Sequence, residues 1–288
     1  MQYGSIEAGG TKFVLGVADE NMTLLDRYQF ATTTPQEVVP QIIQYFQKFD
    51  LDGIGIGAFG PVDINPDSPH YGTVLSTPKP GWQQFNLLAA LKSQLDVPMY
   101  LTTDVNVAAY GEAHLGAARG KHNIVYLTIG TGIGAGVINH DQFYFGHSHT
   151  EVGHMLLQKH PDDDFAGVCP YHGANCAEGL ASGPAIQARF SEGAQALAAD
   201  DPFWAIEADY LAQLCMNVTL SLTPDIIVLG GGVAKQSQLF PMIRERFNAR
   251  LNGYVDTPAL SDYIVPVGLG DNAGITGALL LAQEAANA

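Results

Sequence analysis

The stretch Asn123-Ile124-Val125-Tyr126-Leu127-Thr128-Ile129-Gly130-Thr131-Gly132-Ile133-Gly134-Ala135-Gly136-Val137-Ile138-Asn139 decides the fold. Apolar and β-branched residues fill 123–129, glycines crowd 130–134, and a second apolar run fills 135–139. The pattern is strand, tight turn, strand. The same order opens the chain: a strand-like run over 3–8, the turn Gly9-Gly10-Thr11-Lys12, and a strand to residue 18. After the first hairpin come a strand at 24–32, a helix at 35–49 and a buried strand at 53–59. A helix at 85–95, a strand at 97–102 and a helix from Asp104 to about residue 117 complete that half. The first helix rests on the helical spacing of Val38, Val39, Ile42, Ile43 and Phe46, with Thr34 as cap before Pro35. After the second hairpin come helices at 185–192 and 204–222, a strand at 225–229, a helix at 238–251, a strand at 263–267 and a closing helix at 273–286. The repeated order predicts two related α/β lobes with a cleft between them. Their expected limits are 1–118 and 119–271, with 272–288 packing back on the first. The repeat is one of pattern, not of residue identity.

Working outward, the second half carries an insertion over 153–183. It contains Gly153-His154, the run Asp162-Asp163-Asp164, and Cys169-Pro170-Tyr171-His172-Gly173-Ala174-Asn175-Cys176-Ala177-Glu178. His154, Cys169, His172 and Cys176 make a two-Cys, two-His set. Zinc favours four such ligands arranged tetrahedrally, and a closed set is structural. The expected metal is therefore structural zinc, with His160 a weaker competitor for the fourth position. Residues 63–82, rich in proline and glycine, form a connection too long to be idle.

The two glycine turns, with Gly230-Gly231-Gly232 after a later strand, suit a polyphosphate. Without Cβ atoms the backbone approaches closely and aims its N–H groups at the anion. Thr11 and Thr131 add hydroxyls. A dinucleotide fingerprint is excluded, because a strand follows the turn where a helix should begin. Either turn alone could simply close a hairpin.

A net charge of −16, with 13 basic against 29 acidic residues, excludes nucleic acid as a partner. Any polyanion must be held by backbone N–H groups, helix dipoles and a metal. Hydrophobic content of 47% with 15% charged is that of a globular chain with a real core. The odd number of cysteines, three, makes no disulfide framework and points to a reducing, cytoplasmic compartment. No leader peptide and no membrane span is expected.

These motifs, in order, resemble the ROK family of bacterial sugar kinases and sugar-responsive repressors, within the actin-like ATPase (duplicated ribonuclease H-like) fold. The carrying residues are Glu7-Ala8-Gly9-Gly10-Thr11-Lys12, Thr103-Asp104-Val105-Asn106, Gly130-Thr131-Gly132-Ile133-Gly134, Glu151-Val152-Gly153-His154 and the loop ending Cys176-Ala177-Glu178. Glu7 to Phe13, Ser76-Thr77-Pro78-Lys79-Pro80-Gly81-Trp82 and Cys169 to Gly173 are most similar to the family's fructose-phosphorylating members. The resemblance implies an ATP-dependent kinase making D-fructose 6-phosphate, with another hexose or a non-catalytic sensing role as alternatives. It implies Asp104 as general base, and Thr103, Asn106, Glu151, His154 and Glu178 around the sugar. It places the nucleotide on Gly9, Gly10, Thr11, Lys12, Thr131 and Gly132, with adenosine near Pro184, Gly230, Gly231 and Gly232. It further implies Mg²⁺, a sugar and ATP as the small-molecule partners, and a homodimer. The chain has Glu7 where most members have Asp, and Thr103 where many have Asn; the second departure leans towards fructose.

Overall fold

The computed structural model describes residues 1–288. The chain divides into two compact units. The first comprises Met1–Gly116, Tyr144–His149 and Asp271–Ala288; the second comprises Ala117–Phe143 and Thr150–Gly270. No helix is long and apolar enough to cross a membrane.

In the first unit, β1 (Gln2–Ala8), β2 (Lys12–Asp19) and β3 (Leu24–Ala31) form an antiparallel meander. Helix α1 (Pro35–Phe46) leads to β4 (Gly53–Ala58), and α2 (Leu87–Lys92) leads to β5 (Met99–Thr103) and α3 (Asp104–Leu115). Strands β4 and β5 run parallel to β1, giving the order β3-β2-β1-β4-β5. In the second unit, β6 (Ile124–Ile129), β7 (Ile133–Asn139) and β8 (Gln142–Phe143) repeat the meander. There follow α4 (Ala177–Ala181), α5 (Gly183–Phe190), α6 (Phe203–Leu222), β9 (Ile226–Gly230), α7 (Leu239–Leu251), α8 (Leu260–Tyr263) and β10 (Ile264–Pro266). Their order β8-β7-β6-β9-β10 matches the first sheet strand for strand, with the same directions. The repeat matches the two related α/β halves expected from the pattern, and the topology is the duplicated ribonuclease H-like one that the family resemblance implies. Helix α9 (Ala273–Asn287) belongs to the first unit.

The alternation Gly53-Ile54-Gly55-Ile56-Gly57 explains how β4 is covered on both faces. Ile54 and Ile56 enter one core with Ile6, Leu15, Leu101 and the α1 residues Val38, Ile42 and Phe46. The glycine face lets helices lie directly on the strand. A Cβ at Gly55 would stand 1.9 Å from Ala278 O of α9, and one at Gly57 would stand 2.3 Å from Val107 of α3. In the second unit Val125, Leu127 and Ile129 pack with Trp204, Tyr210, Leu214 and Val218 of α6 and with Ile243 and Phe247 of α7. Long β-branched strands facing long apolar helices bury most of each unit's apolar surface, the main favourable term in folding.

Several boundaries differ from the sequence expectation, each for a local reason. The helix expected from residue 85 starts at Leu87, because Phe85 O accepts from Val74 N and Asn86 Oδ1 caps Ala89 N at 2.7 Å. Thr34 holds the N-cap position of α1, but its side chain makes no capping bond. Tyr263 closes the short helix α8 instead of opening a strand. Strand β8 and helix α4, which carry no strong periodic signal, are additions. Helix α5 begins at Gly183, where Ser182 Oγ caps Ala185 N.

Candidate active site

The parallel registers align strand ends. Ala8 pairs Ala58, and Ala58 pairs Thr103, so Gly9, Phe59 and Asp104 leave one edge of the first sheet together. With neighbouring strands about 4.8 Å apart, Gly9 and Asp104 leave that edge roughly 10 Å from each other. Asp104 is the first residue of α3, not its cap. Thr103 caps the helix, its Oγ1 accepting from Asn106 N at 3.1 Å. The Asp104 carboxylate takes another N–H of the first turn, its Oδ1 accepting from Val105 N at 2.9 Å. Thr103 and Asn106 are buried, and Asn106 Nδ2 donates to Thr102 Oγ1 at 2.8 Å.

In the first turn, Gly9 N donates to Lys12 O at 3.0 Å. The N–H groups of Gly10 and Thr11 have no acceptor within the protein, and the Thr11 and Lys12 side chains are exposed. Glu7 is the last carboxylate on β1. Burial pushes it above the usual carboxylate range, while Lys12 and Arg27 pull it back.

The second sheet has the equivalent edge. Thr128 pairs Gly230, so the turns Gly130-Thr131-Gly132 and Gly231-Gly232 emerge side by side. Gly130 N donates to Gly132 O at 2.9 Å, and Gly130 O accepts from Gly183 N at 2.8 Å. Pro184 therefore stands at the start of α5 beside this turn. The N–H groups of Thr131 and Gly132 have no acceptor within the protein, as at Gly10 and Thr11. Carboxyl ends of parallel strands are where ligands of α/β sheets bind.

His154, Cys169, His172 and Cys176 converge, their ligand atoms all lying within 4.8 Å of one another. Cys169 Sγ lies 3.8 Å from His154 Nδ1 and 3.6 Å from His172 Nδ1, and Cys176 Sγ lies 3.9 Å from His154 Nδ1. Tetrahedral zinc separates adjacent sulfur and nitrogen ligands by roughly 3.6 Å, so the set fits that ion. Burial, with the Cys169 thiol beside it, pushes Cys176 up to about 11. A cation is what would draw its thiolate out. His160 is outside the set; its Nδ1 accepts from Asp162 N.

Glu178 connects the cluster to the second turn. It lies on α4, whose N-cap is Cys176, with Sγ accepting from Gly179 N at 3.4 Å. Glu178 Oε2 accepts from Ile133 N at 3.1 Å, and Oε1 faces His154 Nε2 at 3.9 Å. Glu151 precedes the 3₁₀ turn carrying His154 and is exposed. The arrangement offers carboxylates, an imidazole and bare N–H groups along one sheet edge, a donor and acceptor set suited to a polyol beside phosphates.

Sequence reasoning assigned no role to three features. Thr32 Oγ1 donates to Gly9 O at 2.8 Å, and Lys79 Nζ donates to Gly10 O at 2.5 Å. Asp163 of the acidic run is buried, bridged by Arg189 Nη2 at 2.7 Å and by Tyr210 OH at 2.7 Å. Arg189 Nη1 also donates to Leu180 O of α4 at 2.6 Å, which ties the cysteine segment to α5. The signals in the sequence were Lys79 inside the Ser76–Trp82 motif and Asp163 inside the run 162–164.

Comparison with known proteins identifies the family. The ROK family model matches residues 3–285. A fructokinase from Pediococcus pentosaceus is 53% identical over 285 residues, 99% of each chain. A fructokinase from Streptococcus mutans is 43% identical over 99% of this chain and 98% of its own. The crystal structure of a ROK family glucokinase from Streptomyces griseus, in complex with glucose and AMPPNP, superposes with a TM-score of 0.79 at 26% identity, covering 99% of this chain and 100% of the other. With a family model that spans almost the whole sequence and full-length relatives at 43–53% identity, the chain is a member of the ROK family.

Proposed function

We propose that the protein is an ATP-dependent fructokinase, transferring the γ-phosphoryl group of ATP to the 6-hydroxyl of D-fructose. The observation that supports the reading is Asp104, placed at the end of β5 on the same sheet edge as the unpaired N–H groups of Gly10 and Thr11. The choice of fructose follows the full-length fructokinase relatives at 53% and 43% identity.

In this reading Asp104 accepts the proton of the sugar hydroxyl as the new O–P bond forms and the bond to the departing ADP oxygen breaks. Thr103, Asn106, Glu151, His154 and Glu178 bind the sugar. Gly9, Gly10, Thr11, Lys12, Thr131 and Gly132 hold the phosphates, and Pro184 with Gly230, Gly231 and Gly232 borders the adenosine. Mg²⁺ carried with the nucleotide would supply charge neutralisation on the phosphate oxygens, and Glu7, a hard oxygen donor at the end of β1, is the residue of this chain that would help to hold it. Zinc on His154, Cys169, His172 and Cys176 serves structure, because the four ligands leave no open position. The two units act as the lobes of a cytoplasmic homodimer's protomer.

A coupled assay with ATP, Mg²⁺ and fructose tests the reading, run beside glucose and mannose. Turnover preferring fructose is expected. Turnover with glucose or mannose alone would reassign the substrate, and sugar binding without turnover would make the protein a sensor.

A further inference from the structure

The first glycine turn has every carbonyl occupied. Gly9 O accepts from Thr32 Oγ1, Gly10 O from Lys79 Nζ, Thr11 O from Thr32 N and Lys12 O from Gly9 N. A trans peptide points its C=O and the following N–H in opposite directions. Holding Gly9 O therefore aims the Gly10 N–H away from Thr32, and holding Gly10 O aims the Thr11 N–H away from Lys79. Those are the two N–H groups without acceptors. A glycine pair is otherwise the most pliable backbone a turn can have, so its N–H groups converge only if something fixes the carbonyls.

The clamps are themselves built in. Trp82 is fully buried among Phe13, Phe59 and Phe85, and its Nε1 donates to Thr33 O at 2.6 Å. This anchors residues 76–82 to the segment that follows β3, the segment that also supplies Thr32. Within that loop Trp82 N donates to Lys79 O, and Lys79 N reaches Thr77 Oγ1 at 3.4 Å. The ammonium lies 5.2 Å from the Phe59 ring centroid, a cation–π contact. Burial draws Lys79 below the usual lysine range. An ammonium has three N–H donors; Gly10 O takes one. In a chain of net charge −16, this cation stands on the very turn read as the phosphate seat.

We infer that Lys79 is a positioning residue for the nucleotide. With Thr32 it locks the Gly9–Thr11 backbone so that two N–H groups face the polyphosphate, and it adds a local positive charge to that seat. The inference rests on the reading of this turn as a phosphate site.

The test is the variant Lys79→Met, which keeps the stem and removes the donor and charge, beside Lys79→Arg and Thr32→Val. Steady-state kinetics are measured with ATP and fructose varied separately. Binding of a non-hydrolysable ATP analogue is measured by calorimetry without sugar. Lys79→Met is expected to weaken the analogue and raise KM for ATP by roughly 10- to 100-fold, with KM for fructose within about twofold. Thr32→Val should shift the same parameter in the same direction, and Lys79→Arg should recover part of the loss. Unchanged nucleotide affinity in both Lys79→Met and Thr32→Val would overturn the inference, as would an equal rise in both KM values with a lower Tm. Should Lys79→Met fail to fold, Thr32→Val decides. Failure of the wild-type protein to bind the analogue would instead overturn the phosphate reading itself.

Discussion

His154 turns Nδ1 to the thiols of Cys169 and Cys176, at 3.8 and 3.9 Å, and leaves Nε2 3.9 Å from Glu178 Oε1. One ring thus joins the Cys/His cluster to the carboxylate that braces the second glycine turn. A metal on Nδ1 fixes the proton on Nε2, making it a hydrogen-bond donor towards Glu178 and any sugar oxygen between them. Chelation should therefore act through the sugar. We expect one zinc per chain by elemental analysis, and on its removal a KM for fructose raised about tenfold or more with a smaller change for ATP. Cys176→Ser should reproduce the loss. A metal-free protein with full activity would refute the role.

Asp104→Asn should separate chemistry from binding. The isostere keeps the backbone of α3, since Thr103 and not Asp104 caps it. Loss of a general base lowers kcat by about 10²–10⁴-fold, while fructose affinity should change only a few-fold. A variant retaining more than about a tenth of the wild-type kcat would remove Asp104 from the proton-transfer role.

Glu207 sets a pH dependence of stability. It lies on α6, fully buried, with neither carboxylate oxygen hydrogen-bonded. Burial raises it well above the usual carboxylate range, with Arg189 opposing and Asp163 adding to the shift. The folded chain therefore keeps a proton that the unfolded chain releases. Where the folded state binds more protons, stability falls as pH rises. The fall begins above the usual carboxylate range and continues until the folded group itself ionises. Glu207→Met, of similar volume, should gain roughly 1–3 kcal/mol at pH 8 and much less at pH 4. Denaturant melts at the two pH values check it; equal gains at both would show that Glu207 is not held protonated.

How much of this was legible in the sequence depended on range. The two hairpins, Asp104 at a strand end and the Cys169–Cys176 spacing are local patterns, so composition and periodicity reveal them. The family resemblance ordered them along the chain. The carbonyl clamps were not visible, because Lys79 lies 69 residues from Gly10 and Thr32 lies 23 from Gly9; only folding brings them together. The same holds for Arg189 and Asp163, and for Glu207, a charged residue that shares the apolar face of α6 with Phe203, Trp204 and Leu211. The Thr103 capping bond was not visible either, because it depends on where α3 begins, the least predictable part of a helix.

Gly231 and Gly232 make a matched pair that tests the adenosine assignment. Gly231 has φ +87°, and a Cβ there would stand 2.5 Å from Ile129 O and 2.6 Å from Ile129 C. Both the left-handed backbone and the contact with rigid strand backbone oppose a side chain, so Gly231→Ala should lose about 2–4 kcal/mol. Gly232 has φ −64° in the right-handed region, and a Cβ there meets nothing within 4 Å. Gly232→Ala should fold with wild-type stability, since its conformation suits alanine and the space is open. If that space belongs to the nucleotide, the added methyl must still weaken ATP, raising its KM severalfold or more while fructose is unaffected. Thermal melts and kinetics on the two variants separate fold from ligand. A Gly232→Ala protein with unchanged KM for ATP would mean that the adenosine lies elsewhere, however well Gly231→Ala behaves as forecast.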